Sequence, residues 1–430
     1  RKAADKRKWC GCVDASDVCG YAMTAARVLD KRQLEAEGAV ALIQRQYEGR
    51  LVISLGRDLD GTIGRVPTGS LAIDWAIQGG WPRGRFSQVK GPESVGKTSL
   101  LLNSAAACIA EGGRVLWACA EEFDWAYVVR CGVPADSRSF GLMKAQEGNV
   151  LLDAVLDAVQ SGQWDLIVID SIAVLRNWEY LIDGRSGERL KGVGEEKRGG
   201  EAKMLDQFFA YLFSYFNAMG QRVIERQRVL QQLDGLGGKK PAPKIAEKLR
   251  AKLTELPEDL RIPAVVGINQ VRDQGIGSYH PFLGEPGGRA LKHAKCVELN
   301  LSRSEPIHEG VKLTAEEKDA GGNAHKGRML CRHVTFRVSK NKAGVPGREA
   351  VFTLGQADND IYRLGKIDQV EAVMALGQQL GLIALAGGGW YSVGNLRTQG
   401  RQAMLDLLRS EPALATALST EIRQHGIQDT

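Results

Sequence analysis

The residues with the clearest chemical potential form one eight-residue stretch, Gly91-Pro92-Glu93-Ser94-Val95-Gly96-Lys97-Thr98. Its pattern, Gly-x-x-x-x-Gly-Lys-Thr, is that of the phosphate-binding P-loop. A strand-like run over 85–89 leads into the stretch, and a helix-like run over 99–110 follows it and ends before Gly112-Gly113. An ordinary glycine-rich turn is the alternative interpretation, but the correct strand and helix on either side favour the P-loop.

The glycines of such a loop let backbone N–H groups turn toward phosphate oxygens, and the helix N-terminus adds the positive end of its dipole. Lys97 is expected to contact the β- and γ-phosphates, and the Thr98 hydroxyl is expected to hold Mg²⁺. The stretch therefore predicts a site for a nucleoside triphosphate with Mg²⁺, to which the adjoining Ser99 also belongs.

Polar side chains follow directly on three apolar, strand-like runs, at Glu121, at Asp170 and at Asn269-Gln270. In parallel α/β sheets the ligand lies beyond the carboxyl ends of the strands, so these residues are expected to converge on the P-loop. Asp170 is expected to hold Mg²⁺ directly or through water. Glu121 is the best candidate to orient and deprotonate an attacking water molecule.

The segments that must position these residues alternate between apolar strands and amphipathic helices. Strands are predicted at 114–120, 140–144, 165–169 and 263–268, helices at 125–130 and 149–159, and a strand hairpin at 334–338 and 350–354. This alternation predicts an α/β fold with a mostly parallel, doubly wound sheet. From about residue 355 the pattern changes to short helices, which indicates a small separate C-terminal lobe.

Length and composition restrict the class of protein. A chain of 430 residues suggests two or three domains, and a net charge of +6 permits a nucleic-acid partner without requiring one. The absence of an apolar run of about 18 residues and of a signal-peptide pattern indicates a soluble, cytoplasmic protein with no membrane partner. Five scattered cysteines are expected to be reduced core residues: Cys108, Cys119, Cys131, Cys296 and Cys331.

Several segments leave alternatives open. The basic extension 1–33 carries Cys10, Cys12 and Cys19, which suit either zinc binding or, as we favour, a weakly packed extension. The aromatic-rich helix at 203–216 is interpreted as core rather than as a nucleic-acid platform. Residues 224–261 are interpreted as an inserted helical hairpin, solvated rather than bound to DNA. A polar excursion at 303–330 is interpreted as a second surface insertion.

Two further segments indicate an interaction partner. A helix over about 31–47 and a strand over 50–55 cannot bury themselves alone, so they must dock on the core or on a neighbouring subunit. After Gln270 the chain continues into a loop with five glycines and two prolines, over 271–288. Long loops of this kind are usually functional or disordered, and this one is placed to couple a nucleotide to another ligand.

An ordered series of motifs resembles the RecA family of bacterial and phage recombinases over about residues 34–424. The similar segments are 66–74, 91–98, 120–121, 124 with 127, 169–171, 268–272, 287–288, 290–292, 340–342 and 389–392. A P-loop alone indicates only an NTPase, whereas this ordered series is specific to the recombinases. The divergence is more typical of phage or mobile-element members than of host members.

The resemblance implies a RecA-type P-loop ATPase core at 67–355, preceded by an N-terminal polymerisation arm at 34–66 and followed by a small α+β C-terminal domain at 356–430. It implies a DNA-dependent ATPase that uses ATP and Mg²⁺ and forms helical filaments of many copies on single-stranded DNA. Such a protein pairs the bound strand with homologous duplex DNA and catalyses strand exchange in recombination and repair.

For the nucleotide site, the resemblance implies that Glu121 activates water and that Asp124 and Tyr127 hold adenine, Tyr127 by stacking. Gln270 would sense the γ-phosphate and order the loop that follows it. Lys340 and Lys342 would reach across a subunit interface to the neighbour's ATP, much as an arginine finger acts in trans.

For DNA, the resemblance implies that the loop after Gln270 is the second DNA-binding loop. Within it Arg272 would bind backbone phosphates and Ile276 would wedge between base triplets. Gly287 and Gly288 belong to the same DNA site, and Lys203 matches a phosphate-binding residue after the first DNA loop.

The chain also departs from the family pattern. The first DNA loop is strongly diverged, the segments 1–30 and 224–261 have no counterpart, and His293 stands where an aromatic interface residue is expected. Two other functions remain open, a ring-forming DNA motor and a non-catalytic regulator of recombination. The arm and the Lys340–Lys342 pair argue against the ring, and the complete set of catalytic residues argues against the regulator.

Overall fold

The computed structural model describes residues 39, 42, 64–145, 147–176, 200–235, 243–256, 261–270, 272–273, 283–284, 288–308 and 328–428. The chain divides into two compact units, 1–62 and 63–430. In the first unit only Ala39 and Leu42 are described, and both are helical. The predictions for the 1–33 extension with its cysteines, the 50–55 strand, Ile276 and Gly287 lie outside the described residues.

The second unit is built around a nine-stranded sheet. The strands of the unit are Arg65–Val66 (β1), Trp81–Pro82 (β2), Phe86–Gly91 (β3), Val115–Cys119 (β4), Phe140–Lys144 (β5), Leu166–Asp170 (β6), Ala264–Gln270 (β7), Arg272–Asp273 (β8), Leu283–Gly284 (β9), Lys295–His308 (β10), Met329–Asn341 (β11), Glu349–Gly355 (β12), Ile367–Asp368 (β13), Ala384–Ala386 (β14), Trp390–Val393 (β15) and Leu396–Gln399 (β16). The spatial order in the large sheet is β13-β12-β11-β10-β3-β7-β6-β4-β5.

The helices follow the strands in the order expected of an α/β protein. They are Leu71–Ala76 (α1), Lys97–Ala110 (α2), Trp125–Arg130 (α3), Gly148–Ser161 (α4), Gly200–Gly235 (α5), Pro243–Glu255 (α6), Gly288–Ala294 (α7), Gln369–Gln379 (α8), Arg401–Ser410 (α9) and Pro412–Gln428 (α10). The six strands from β10 to β5 run parallel, and β11, β12 and β13 add antiparallel pairs at one side. The prediction of a mostly parallel sheet is therefore confirmed.

Both faces of the sheet are covered. Successive residues of β4 enter different cores, because side chains of a strand alternate between the two faces. Trp117 joins the core formed with α2, and Leu116 joins the core formed with α4 and α5. The parallel strands are buried on both sides. Because they run in the same direction, their carboxyl ends lie at one edge of the sheet.

The aromatic-rich helix is longer than predicted, because α5 continues without a break from Gly200 to Gly235. The helical hairpin predicted at 224–261 is formed by the end of α5 and by α6, which pack on each other, and its first helix is continuous with the aromatic-rich helix. The helix continues through Gly220, and no further glycine or proline occurs before Gly235. Phe208, Phe209 and Phe216 are buried as predicted, whereas Tyr211 is 58% exposed.

Strands β10 and β11 extend into both ends of the segment 303–330, which was predicted to be a surface insertion. Strand β10 runs on to His308 and β11 begins at Met329, with Arg303 paired to Val334 and His308 paired to Met329. The pairing of β10 with β3 ends at Asn300, so this part of the ladder extends beyond the parallel sheet. Strand β11 also pairs with β12 from Cys331 to Arg337. The polar composition of the segment concealed these strand ends.

The C-terminal lobe is not separate from the core, since 63–430 forms one compact unit. Helix α10 packs on α1, where Ile422 is fully buried and Arg423 Nε lies 3.5 Å from Asp74 Oδ2. The change of composition at residue 355 marks a change of element type, whereas contacts between residues far apart in sequence join the lobe to the sheet.

The five cysteines predicted to be reduced are confirmed as free and buried. None of the helices in the described part of the chain combines the length and apolar character that crossing a bilayer requires.

Candidate functional site

The P-loop joins β3 to α2 through a left-handed backbone. Gly96 is the N-cap of α2 with φ 103°, a conformation that glycine adopts without the clash of a Cβ. A Cβ at this position would also lie 3.0 Å from Leu354 Cδ2. Glycine at this position lets the chain turn sharply from β3 into α2 beside Leu354.

A cleft of about 350 Å³ lies against this loop. The predicted residues that line it are Glu93, Ser94, Gly96, Lys97, Thr98, Ser99, Glu121, Tyr127, Asp170 and Gln270. Other P-loop residues serve the loop itself: Val95 is buried in the core, and the carbonyl oxygens of Gly91 and Pro92 accept hydrogen bonds from Lys97 Nζ at 3.0 and 2.6 Å. The structure thus brings the ends of β3, β6 and β7, and residues just after β4, to one place.

The residues predicted to hold Mg²⁺ are adjacent. Thr98 Oγ1 donates a hydrogen bond to Asp170 Oδ2 at 3.3 Å. Burial, followed by the neighbouring charge of Glu121, raises the pKa of Asp170 to about 7. One hydroxyl and one carboxylate suit Mg²⁺, which is usually held by one or two carboxylates together with substrate phosphates.

Glu121 faces the cleft and its neighbour Glu122 does not line it. Ser171 Oγ donates a hydrogen bond of 2.5 Å to Glu121 Oε1. Ser171 directly follows Asp170, the last residue of β6. The end of this strand therefore supplies both Asp170 and the hydroxyl group that orients Glu121. The sequence assigned no role to Ser171, because only the pairing of β6 with β4 places it beside Glu121.

Tyr127 lines the cleft on α3, and its hydroxyl lies 2.6 Å from Ser99 Oγ. Burial is the main cause that raises the pKa of this phenol to about 12. Gly365 leaves room for the ring, because a Cβ there would lie 3.3 Å from Tyr127 Cε2. Asp124 does not line the cleft: its Oδ1 accepts the Ala126 N–H at 2.9 Å and caps α3.

Four of the described cleft residues were not predicted as site residues, namely Ile268 on β7, Arg332 on β11, Leu354 at the end of β12 and Gln356 just after it. Arg332 NH1 donates a hydrogen bond to the Ser94 carbonyl oxygen at 2.6 Å, across 238 residues of sequence. Nothing in the local pattern of β11 distinguishes Arg332 from a solvent-facing strand residue. The register of the antiparallel strands places it against the P-loop.

Among the described residues predicted to bind DNA, Lys203 and Gly288 do not line the cleft. The Gln270 N–H donates to the Oδ1 atom of Asn269, which is fully buried, at 3.0 Å. Arg272 lies in β8, which pairs with β9, and Gly288 opens α7 with φ 66°. Lys203 is exposed on α5.

Lys340 and Lys342 do not line the cleft of their own chain. Lys340 Nζ donates to the Lys292 carbonyl oxygen at 2.7 Å, and Lys342 Nζ donates to the His293 carbonyl oxygen at 3.1 Å. Both ammonium groups therefore lie at the C-terminal end of α7, where free carbonyl groups attract cations.

Comparison with known proteins gives a consistent family assignment. A family model described as the RecA N-terminal domain matches residues 34–229. The protein named "Protein RecA" from Acholeplasma laidlawii is 28% identical over 400 residues, which is 92% of this chain and 98% of that protein. "Protein RecA" from Streptomyces coelicolor is 29% identical over 91% of this chain and 86% of its own length.

The counterpart from Bacillus pumilus is 28% identical over 94% of this chain and 95% of that protein. Among solved structures, the crystal structure of the RadB recombinase aligns with 68% of this chain and 96% of that chain, at 17% identity and a TM-score of 0.41. The family model and the near full-length matches agree with the P-loop cleft described above. Together the matches support a recombination protein of the RecA type.

Proposed function

We propose that this protein is an ATP-dependent recombinase that polymerises on single-stranded DNA and catalyses homologous pairing and strand exchange. The observation that carries the proposal is the position of Gln270. Its side chain lines the nucleotide cleft, and the chain continues from it directly into the segment 271–287. A group that contacts the γ-phosphate at this position can transmit the state of the nucleotide to a DNA-binding loop.

In the proposed mechanism the P-loop amides, the N-terminus of α2 and Lys97 bind the triphosphate. Mg²⁺, held by Thr98 and Asp170, would neutralise charge on the phosphates. Glu121 accepts the proton of the attacking water, and the Ser171 hydroxyl fixes the orientation of its carboxylate. Tyr127 supplies an aromatic face for the base, with its hydroxyl fixed by Ser99.

Filament formation would use surfaces on both sides of the protomer. We propose that Lys340 and Lys342 contact the triphosphate bound by a neighbouring copy, since they do not line their own cleft. The arm predicted at 34–66 would dock on the neighbour's β5 through its residues before 63, since β1 pairs with β2 of its own chain. Strand β5 is one of the two edge strands of the sheet, and its Leu142 is 44% exposed. An edge strand offers unpaired backbone groups to a strand from another chain.

On the DNA side, Arg272 would bind backbone phosphates, and Ile276, Gly287 and Gly288 would complete the second DNA-binding loop. Lys203 would contact phosphate from α5, where its side chain is exposed. Contacts of this kind are largely independent of sequence, so affinity for single strands should fall steeply as the salt concentration rises.

Electron microscopy with single-stranded DNA, Mg²⁺ and a non-hydrolysable ATP analogue tests the assembly. We expect long helical filaments from the wild-type protein. We also expect them to be lost in a Lys340→Gln/Lys342→Gln variant that still binds the analogue, because the neighbour's triphosphate would lose both cations. Closed rings would instead indicate the DNA motor, and monomers under all conditions would contradict both functions.

Arg332 is expected to influence nucleotide affinity. Replacing it by Gln removes the charged hydrogen bond to the Ser94 carbonyl and one cation beside the P-loop. We expect the KM for ATP to rise about 5- to 10-fold with kcat nearly unchanged, as the loss of 1 to 1.4 kcal/mol of binding free energy requires. Steady-state phosphate release provides both constants.

Arg337→Gln is the matched control for this prediction. Arg337 lies on the same strand, but its Nε pairs with Glu349 Oε1 at 3.3 Å on the exposed surface. This variant should keep the wild-type KM. Equal KM values for the two variants would remove Arg332 from the nucleotide site.

A further inference from the structure

A cluster of charged side chains lies where β3, β10 and β11 meet. Lys90 Nζ lies 2.8 Å from Glu298 Oε1, and Lys295 Nζ donates a hydrogen bond to Glu298 Oε2. The side chains of Lys295 and Glu298 are only 4% and 9% exposed. Burying two ions is costly unless they are paired, and Glu298 provides a carboxylate oxygen for each lysine.

This cluster connects two parts of the proposed ATPase. Lys90 immediately precedes Gly91, the first residue of the P-loop. Glu298 is the direct cross-strand partner of Lys340 in the β10–β11 ladder, so the two side chains lie on the same face of the sheet. One buried carboxylate therefore lies between the strand that carries the chain's own P-loop and a lysine that we assign to the neighbour's nucleotide.

The groups that face Lys340 come from three elements. Lys342 lies on its own strand β11, while Lys295, Cys296 and Glu298 lie on β10, and the Lys292 carbonyl oxygen at the end of α7 accepts its hydrogen bond. Burial, followed by the charges of Lys342 and Lys295, lowers the pKa of Lys340, and Glu298 is the first group that opposes this effect. The Glu298 carboxylate thus favours the protonated form of Lys340.

We propose that Glu298 is a positioning residue for Lys340. It keeps this lysine protonated and positioned to contact a triphosphate, and its ion pair with Lys90 connects Lys340 to the P-loop of the same chain. The inference rests on the proposed function, because it requires Lys340 to act on bound ATP. It assigns to Glu298, Lys90 and Lys295 a role that the sequence motifs do not indicate.

The alkaline limb of the pH profile for DNA-stimulated ATP turnover tests the proposal. For Glu298→Gln we expect this limb to move down by about 0.5 to 1 pH unit, because Lys340 loses the nearby negative charge and deprotonates at lower pH. We expect kcat to fall and the KM for ATP to stay within about 2-fold of the wild-type value. Glu349→Gln, which removes a surface carboxylate from the same sheet, should leave the limb in place.

Lys295→Met should shift the alkaline limb in the opposite direction. It removes a positive charge that faces Lys340, so the limb should move to higher pH, and Glu298 keeps Lys90 as its partner. If circular dichroism shows that Glu298→Gln does not fold, this variant still tests the proposal.

Lys340→Arg should move the alkaline limb above the pH range that is measured, because a guanidinium stays protonated.

Two failures can be told apart. Absence of DNA-stimulated turnover in the wild-type protein overturns the proposed function and this inference with it. Wild-type turnover with a limb that stays in place in every folded variant of Glu298 and Lys295 overturns this inference alone.

Discussion

Replacing Glu121 by Gln is expected to lower ATP turnover about 10²- to 10⁴-fold, the usual contribution of a positioned general base. The amide keeps the size of the side chain and can still accept the Ser171 hydrogen bond, but it cannot accept a proton from water. Nucleotide affinity should remain nearly the same, since the P-loop, Thr98 and Asp170 are unchanged. Phosphate release at saturating DNA and Mg-ATP, together with a fluorescent-nucleotide titration, separates the two effects.

Glu122→Gln is the control that the chain itself offers. It changes the same charge one residue further on, at a position that does not line the cleft. We expect wild-type turnover within about 2-fold, since surface substitutions rarely have larger effects. Turnover that survives in Glu121→Gln, or falls equally in both variants, would remove Glu121 from its proposed role.

Replacing Phe86 by Ala is expected to lower the free energy of unfolding by about 3–5 kcal/mol, as for other buried aromatic residues. Phe86 is fully buried at the start of β3, and its ring centroid lies 4.8 Å from that of Phe209 on α5. Gly267 of β7 also borders the Phe86 ring, and it has no side chain to fill a cavity. The strand that delivers the P-loop would lose its main contact with α5.

Equilibrium unfolding in urea, followed by tryptophan fluorescence, measures this loss. Tyr211→Ala serves as control, since it removes an aromatic ring from the same helix at a position that is 58% exposed. It should change the free energy of unfolding by no more than about 0.5 kcal/mol. A similar loss in both variants would mean that Phe86 does not support the β3–α5 contact.

The cleft could be predicted well where its residues follow one local rule. Glu121, Asp170 and Gln270 all come at or just after the ends of apolar strands, and in a parallel sheet these ends meet at one edge. The same local approach failed where long-range pairing decided the outcome. Polar composition at 303–330 suggested a surface insertion, but the two ends of this segment pair with each other as part of the β10–β11 ladder.

By itself the sequence predicted the phosphate chemistry of this protein and its resemblance to the RecA family. Gly96, Lys97 and Thr98 are neighbours on one backbone, so their geometry follows from a single strand–loop–helix turn. Only the tertiary structure decided that Arg332 contacts this loop and that Glu298 lies between Lys90 and Lys340. Those contacts depend on the strand order β11-β10-β3, which joins segments more than 200 residues apart and leaves no signal in the spacing of any one segment.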